Sequence, residues 1–339
     1  MSTSAAQQPS PALFFQTVNA HQRTEALKAG IELELFTAIA EGNTTAAEIA
    51  KRCQTSEKGM RILCDFLTIM GFLTKEGDRY GLTLDSSVFL DKSSPAYLGG
   101  AIEFMCSPML TEGAKHIAEA VRRGGTVMEN DGTIGAENPI WVKFARGMAP
   151  LMFMPAQLIA KLVDPNADRK LKILDVAAGH GMFGIAFATA NNQAEVTALD
   201  WKAVVEVAKE NAEKFGLADR YKTIEGSAFD VDFGSGYDLI LLTNFLHHFD
   251  PPTCETLARK VHAALADGGK AVTLEFVPNE DRVTPPDAAA FSMMMLTSTP
   301  SGDAYTFAEL EKMFANAGFS RSVMYPLPPT IQQVVISEK

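Results

Sequence analysis

Apolar positions in the first 95 residues recur mainly at helical spacing. Thr45-Ala-Ala-Glu48 is a capping-box pattern, which predicts the start of a short helix. A second helix is predicted over 56–70, because its apolar residues are three and four positions apart. Two short strands then flank the turn residues 76–78. Two helices followed by a hairpin predict a winged-helix-like domain over residues 1–95.

Residues 96–165 are predicted to form connecting helices that carry many methionine and aromatic side chains. The glycines at 124–125 and the Asn-Asp-Gly turn at 130–132 interrupt them. Most of these apolar side chains are expected to pack in a core. Some are expected to line a pocket, because methionine suits adaptable apolar surfaces.

Residues 166–339 alternate between short apolar runs and helical segments. The runs at 171–177, 195–200, 221–226, 237–244 and 268–277 are predicted strands. Strands that alternate with helices predict an α/β fold with a parallel sheet covered on both faces. The last twenty residues, 320–339, can form two strands joined by a tight proline-rich turn. A tight turn joins only antiparallel neighbours, so a closing antiparallel hairpin is predicted.

The composition is that of a soluble globular protein, with 47% hydrophobic and 21% charged residues. No stretch approaches the roughly 20 apolar residues that span a bilayer, and the N-terminus lacks a signal pattern. The four scattered cysteines predict neither a disulfide framework nor structural zinc, which fits a cytoplasmic location. The net charge of −11 argues against a nucleic-acid partner.

A glycine-rich loop follows the first strand of the α/β region. Gly179, Gly181 and Gly184 spell G-x-G-x-x-G between a strand and a helix, which lets a ligand approach the backbone. Asp200 ends the next strand, about 20 residues further on, where an acid can accept hydrogen bonds from ribose hydroxyls. These features alone are also compatible with NAD.

Asp175, at the tip of the strand before the loop, favours S-adenosylmethionine over NAD. A carboxylate at this position would repel the pyrophosphate of a dinucleotide. S-adenosylmethionine has no phosphate, and its sulfonium and ammonium groups are cations. We therefore expect Asp175 and Gly179 to hold the methionyl end, with helix capping as the alternative role of Asp175.

With these motifs, the chain resembles the class I methyltransferases that have an N-terminal dimerisation domain. This group includes caffeic acid and hydroxyindole O-methyltransferases and bacterial small-molecule O-methyltransferases. The resemblance extends from the winged-helix segment to the last strand. It implies a Rossmann-like methyltransferase domain at 166–339, S-adenosyl-L-methionine as the cofactor, and a homodimer formed through the N-terminal domain.

The resemblance also assigns the cofactor contacts. It implies that Asp200 holds the ribose and that Trp201 lies beside the adenine. The loop 226–229 matches the adenine-contacting loop of the family, although Ser227 and Ala228 replace its usual Asp-Met pair. The predicted cofactor-binding residues are Asp175, Gly179, Gly181, Asp200, Trp201, Ser227, Ala228, Phe229 and Thr243.

The resemblance implies a catalytic histidine just after the fourth strand. His247 takes this position, His248 replaces an aspartate, and Glu275 matches the acid that orients the base. A phenol has a pKa near 10 and histidine one near 6.5, so a base held by a carboxylate helps to remove the proton. The second acid of the family is missing, because Ala304 stands there with Asp303 beside it. The spacing of the two histidines predicts no metal site.

The methyl acceptor is expected to lie against apolar side chains. The resemblance implies that Met295 and Thr299 face the acceptor, with Phe144 and Met148 from the connecting helices and His248 nearby. Thioethers and aromatic rings form a flat, adaptable slot for an aromatic ring. No cationic residue is evident among these candidates, which favours a neutral, largely apolar aromatic or polyketide-like molecule.

Three functions remain open on the sequence. The first is O-methylation of a small-molecule hydroxyl, with His247 as the general base. The second is N- or C-methylation of a similar molecule, which the missing second acid favours. The third is a winged-helix regulator that binds the nucleotide as a ligand, against which the acidic charge and the His247–Glu275 pairing argue.

Overall fold

The protein is represented by a computed structural model that describes residues 9–164 and 168–339. The chain divides into two compact units, Met1–Gly99 and Gly100–Lys339. Across the two described ranges, none of the helices combines the length and the apolar character that a membrane span requires.

The first unit contains helices and one hairpin. Its elements are α1 (Ala12–Val18), α2 (Ala20–Glu32), α3 (Leu35–Ala40), α4 (Ala46–Arg52), α5 (Glu57–Ile69), β1 (Leu73–Glu76), β2 (Arg79–Leu82) and α6 (Leu84–Phe89). The capping box predicted at the start of α4 is confirmed, because Thr45 and Glu48 each accept a hydrogen bond from the other's backbone N–H. Ser56 caps α5, and the two strands pair antiparallel. The predicted order of two helices and a hairpin is confirmed.

Apolar side chains of the first unit divide between its core and its surface. Met60, Cys64 and Leu67 are buried on one face of α5, as their spacing predicts. In contrast, α1 has no buried residue, and Leu13 and Phe14 are 74% and 64% exposed. An apolar helix that packs on little of its own unit is a candidate contact surface.

The second unit begins with helices and continues as an α/β sheet. Its elements are α7 (Ile102–Met105), α8 (Pro108–Lys115), α9 (Ile117–Arg123), α10 (Ile140–Val163), β3 (Leu171–Val176), α11 (Met182–Ala190), β4 (Ala194–Asp200), α12 (Lys202–Lys214), β5 (Tyr221–Glu225), β6 (Tyr237–Thr243), α13 (Pro251–Ala264), β7 (Leu265–Glu275), α14 (Pro286–Ser298), α15 (Phe307–Asn316), β8 (Arg321–Pro326) and β9 (Gln333–Glu338).

Seven strands form one sheet in the order β5-β4-β3-β6-β7-β9-β8. The first five are parallel, and β9 pairs antiparallel with both β7 and β8. The predicted parallel sheet with a closing antiparallel hairpin is therefore confirmed. The predicted tight turn is wrong, because residues 327–332 form a longer connection between β8 and β9.

The direction of winding reverses at β3. From this strand the chain continues to β4 and β5 on one side, whereas β6 and β7 lie on the other. Ligands of open α/β sheets bind outside the carboxyl ends of the strands at such a reversal. The sheet therefore places a binding crevice at the ends of β3, β4 and β6.

Candidate active site

A cavity of about 890 Å³ lies at this edge of the sheet, entirely within the second unit. Segments that follow β3, β4, β6 and β7 contribute to its wall, together with α10, α14 and the connection 327–332. The structure brings most of the predicted site residues together here. Those in the wall are Gly179, Asp200, Trp201, Ser227, Ala228, Phe229, Thr243, His247, His248, Phe144, Met148 and Met295.

Asp200 holds the glycine loop against the end of β4. One carboxylate oxygen accepts a 2.8 Å hydrogen bond from the Gly179 N–H, and the other accepts a 2.7 Å bond from the Trp201 N–H. Burial raises the pKa of this carboxyl group to about 6. Each oxygen retains a lone pair, so the group can also accept hydrogen bonds from ligand hydroxyls.

Gly179 lies where the loop passes close to an aromatic ring. Its φ is 57°, and a Cβ at this position would lie 3.1 Å from the ring of Phe144. A side chain here would force the ring or the loop to move. The glycine therefore keeps this stretch of the cavity wall as bare backbone, as close approach of a ligand requires.

Asp175 does not line the cavity, which corrects its predicted contact with the methionyl end. Its carboxylate accepts a 3.0 Å hydrogen bond from the Gly184 N–H in the first turn of α11. Burial raises the pKa of Asp175 to about 7, and its second oxygen has no partner within the described residues. The structure thus assigns Asp175 the alternative role of a helix cap.

Gly181 and Thr299 also lie outside the cavity wall. A Cβ on Gly181 would lie 2.6 Å from the Tyr221 hydroxyl, so this glycine serves the packing of α11 rather than ligand contact. Thr299 is buried, and its hydroxyl donates to the Met295 carbonyl and accepts from the Gly302 N–H. Its predicted acceptor contact is wrong, because its only hydroxyl is used at the end of α14.

His247 is held by the carboxylate of Glu275, as predicted. Its Nδ1 lies 2.6 Å from Glu275 Oε2, and both side chains are at least 95% buried. The carboxylate accepts a hydrogen bond from Nδ1–H, so Nε2 carries the free lone pair. His247 lines the cavity, whereas Glu275 lies behind it.

The second oxygen of Glu275 organises the backbone after β6. Oε1 accepts hydrogen bonds from the N–H groups of Phe245 and Leu246, at 3.1 and 2.9 Å. Asn244 has a left-handed φ of 56°, which turns the chain so that these groups converge on the carboxylate. Asn244 was not among the predicted site residues; an asparagine directly after a buried strand was its only signal in the sequence.

Asn244 also connects this turn to the closing hairpin. The side-chain amide of Gln332 donates a hydrogen bond to the Asn244 side-chain carbonyl, and both residues line the cavity. Gln332 was not among the predicted site residues either. Sequence spacing gave no signal for a contact between residues 88 positions apart.

The loop 226–229, which lines the cavity, is supported from its other face. Lys260 on α13 donates hydrogen bonds from Nζ to the carbonyls of Ala228 and Phe229, at 2.9 and 3.1 Å. Its ammonium also lies 4.4 Å from the ring centre of Phe233. This lysine, also missed in the sequence, fixes the loop whose other face lines the cavity.

Aromatic rings form much of the wall around His247. The rings of Phe276 and Phe291 stack with centres 3.8 Å apart, and the Phe291 ring meets His247 edge-on at 4.8 Å. Met148 and Met295 are buried in the same wall. This arrangement gives a flat apolar slot beside the ring of His247, which suits a flat aromatic molecule.

Known proteins resemble the chain over nearly its full length. The O-methyltransferase domain family matches residues 115–320, and the O-methyltransferase dimerisation domain family matches residues 15–92. A provisionally assigned O-methyltransferase from Nostoc punctiforme, known from its crystal structure, is 56% identical, with a TM-score of 0.94. The match covers 98% of this chain and 100% of that one.

Two Streptomyces enzymes are more distant relatives. The 3-hydroxy-5-methyl-1-naphthoate 3-O-methyltransferase of Streptomyces sahachiroi is 29% identical, over 94% of this chain and 92% of its own length. The tetracenomycin polyketide synthesis 8-O-methyltransferase of Streptomyces glaucescens is 24% identical, over 91% of each.

Proposed function

Because the chain belongs to the S-adenosylmethionine-dependent O-methyltransferase family, we propose that it methylates a hydroxyl of a small, neutral aromatic or polyketide-like molecule. In this proposal His247 is the general base and Glu275 orients it. The observation that carries the proposal is the position of His247, whose ring lies in the cavity wall with Nδ1 bonded to a buried carboxylate.

The wall of the cavity fits S-adenosylmethionine. Asp200 offers a carboxylate for the ribose hydroxyls, and Gly179 offers bare backbone. No lysine or arginine lines the cavity in the described part of the chain, and such a residue would be expected for a pyrophosphate. The bound cofactor supplies a methyl group already activated by its sulfonium.

The protein must then align the acceptor and take its proton. The carboxylate of Glu275 stabilises the positive charge that His247 gains when it accepts that proton. Burial of both side chains strengthens this attraction, because the surrounding dielectric is low. The neighbouring Phe291 ring limits the approach to His247 to a thin, flat molecule.

The charges of the wall favour a neutral acceptor. Its acidic residues are Asp200, Asp230 and Asp287, and no cationic side chain lies among the described lining residues to balance a carboxylate on the acceptor. An anionic acceptor would therefore lose hydration without gaining a partner. This supports a phenol or a polyketide-like hydroxyl compound without an acid group.

Methylation at nitrogen or carbon is the second candidate. Ala304 is fully buried in place of the expected second acid, and the neighbouring Asp303 pairs with Arg282 instead. Among the described residues, Glu275 is therefore the one acid that contacts the ring of His247. A single orienting acid would be enough for an acceptor that loses its proton easily.

We further propose that the protein is a homodimer. The dimerisation-domain match at 15–92 supports this assembly. The exposed apolar side chains of α1 provide a surface for a second copy of the chain.

The test of the base compares two histidine variants on a panel of neutral phenols, amines and carboxylic acids. His247→Gln should lower kcat for the best phenol by roughly 100- to 10,000-fold, because general base catalysis contributes this much. The affinity for S-adenosylmethionine, measured by calorimetry, should stay unchanged. His262→Gln is the matched control, because this ring packs against Phe319 away from the cavity.

Near wild-type turnover in His247→Gln would rule out this histidine as the base. Methyl transfer to amines alone would instead support the second candidate.

A further inference from the structure

His248 is a buried histidine in the cavity wall that the proposed chemistry does not use. It is 92% buried, and its Nδ1 has no hydrogen-bond partner in the described ranges. Burial lowers the pKa of the ring well below its usual value, so the imidazole is neutral. Because Nδ1 is enclosed, Nε2 is the ring nitrogen left to contact a ligand in the cavity.

The ring of His248 is fixed in place by its neighbours. It packs edge-on against Trp141 and Phe245, with ring centres 5.2 and 6.5 Å away. Trp141 is itself held by a 2.9 Å hydrogen bond from its indole N–H to the Thr133 carbonyl. His248 is therefore preorganised to bind, and little entropy is lost when a ligand contacts it.

The backbone under the two histidines is equally confined. A Cβ on Gly302 would lie 2.2 Å from the His247 carbonyl oxygen, so the loop before α15 packs directly on this turn. On its other side the turn is bonded to Glu275. The imidazoles consequently keep their separation, with ring centres 4.3 Å apart.

The two rings offer opposite hydrogen-bonding groups. His247 donates its Nδ1–H to Glu275 and therefore presents a lone pair at Nε2. In neutral His248 the enclosed Nδ1 is better left without a proton, since an unpartnered acceptor is tolerated more often than an unpartnered N–H donor. The proton then resides on Nε2, which makes that atom a donor.

We infer that His248 binds a second oxygen of the acceptor, on the ring position next to the reacting hydroxyl. The reacting hydroxyl donates to His247 and the neighbouring oxygen accepts from His248. This inference rests on the proposed function and narrows the acceptor to aromatic compounds with two adjacent oxygens, such as vicinal diols, their monoethers or hydroxy-carbonyl compounds.

The test uses two naphthols of nearly equal shape, 3-methoxy-2-naphthol and 3-ethyl-2-naphthol. Each has one hydroxyl, and only the first has a neighbouring oxygen. Calorimetry in the presence of S-adenosylhomocysteine should show that the wild-type protein binds the methoxy compound about tenfold more tightly, the value of one hydrogen bond in a desolvated site. Turnover of both compounds is measured in parallel.

Two variants separate hydrogen bonding from packing. His248→Phe keeps the aromatic contacts without a donor, and should bind the two naphthols equally. His248→Gln restores an N–H donor near the position of Nε2, and should recover most of the preference. Equal binding of the two naphthols by the wild-type protein would overturn the inference, and so would an undiminished preference in His248→Phe.

The two readouts distinguish this inference from the proposed function. A binding preference that depends on His248, with neither naphthol methylated, would support the binding role and count against O-methylation. Methylation of both compounds at equal affinity would support O-methylation and overturn the role of His248.

Discussion

Glu275 couples the orientation of a side chain to the shape of the backbone around it. Its Oε2 bonds the ring of His247, and its Oε1 gathers the N–H groups of Phe245 and Leu246. Hydrogen bonds to an ionised carboxylate are about twice as strong as neutral ones. The direction of the histidine and the left-handed turn at Asn244 are therefore determined together.

The raised pKa of Asp200 predicts a pH dependence of cofactor binding. In the proposed complex the ribose hydroxyls donate to the ionised carboxylate of Asp200, and burial raises the pKa of that group to about 6 in the free protein. Its ionised fraction rises from about one tenth at pH 5 to about nine tenths at pH 7. The Kd for S-adenosylmethionine should therefore fall about tenfold over this range, measured by calorimetry.

Asp200→Asn is the control for this dependence. The amide does not titrate, and its NH₂ group cannot accept the N–H bonds that the carboxylate receives from Gly179 and Trp201. The variant should bind the cofactor roughly 5- to 150-fold more weakly at pH 7. Its affinity should vary less with pH. A full tenfold change in the variant would show that another group is responsible.

Residues at strand ends could be predicted from the sequence, whereas side-chain direction could not. Asp200 and Glu275 each end a strand, and the carboxyl ends of parallel strands meet at one edge. Asp175 lies one position before its strand end and points to the start of α11, because successive side chains alternate between faces. The resemblance implies that Thr299 contacts the methyl acceptor. No local pattern shows that its hydroxyl instead donates a hydrogen bond to a carbonyl of α14.

The start of helix α11 requires glycine for a reason of packing. Gly181 has a φ of 76°, and a Cβ there would lie 2.6 Å from the Tyr221 hydroxyl and 2.9 Å from the Cβ of Ala208. Gly181→Ala combines a left-handed alanine with overpacking. We expect it to lower the free energy of unfolding by about 2–5 kcal/mol, measured by urea denaturation.

Gly268→Ala separates the two contributions. Gly268 has a similar φ of 73° but no atom within 4 Å of the Cβ position. This variant should lower the free energy of unfolding by only about 1–2 kcal/mol, the conformational part alone. Equal losses in the two variants would show that packing against α12 and β5 contributes nothing.

Elements specified by local patterns were predictable, and those specified by distant contacts were not. The capping box before α4 needs only four consecutive residues and forms as predicted. The connection 327–332 was predicted as a tight turn from its prolines. Its actual course depends on the contact of Gln332 with Asn244, which no local pattern specifies.

The proposed homodimer can be tested by measuring the mass of the protein in solution. An obligate dimer buries more than about 2,000 Å² of surface, and an exposed apolar helix is a natural part of it. Light scattering at micromolar concentration should give twice the 36.6 kDa mass of one chain. Leu13→Asp combined with Phe14→Asp should shift the mass toward the monomer, because buried charges without partners are unfavourable.

Val283→Asp is the matched control, because this residue is 65% exposed on a loop of the second unit. It should remain a dimer. A wild-type monomer at the same concentration would refute the proposed assembly.

The acidic side chains that line the cavity also affect the release of the cofactor product after methyl transfer. Methyl transfer removes the positive charge from the cofactor's sulfur, whereas Asp200 and Asp230 remain in the wall. The electrostatic attraction of the wall for the product, S-adenosylhomocysteine, is therefore weaker than its attraction for S-adenosylmethionine. Each methyl transfer thus weakens the binding of the demethylated cofactor, and this favours its replacement by S-adenosylmethionine before the next cycle.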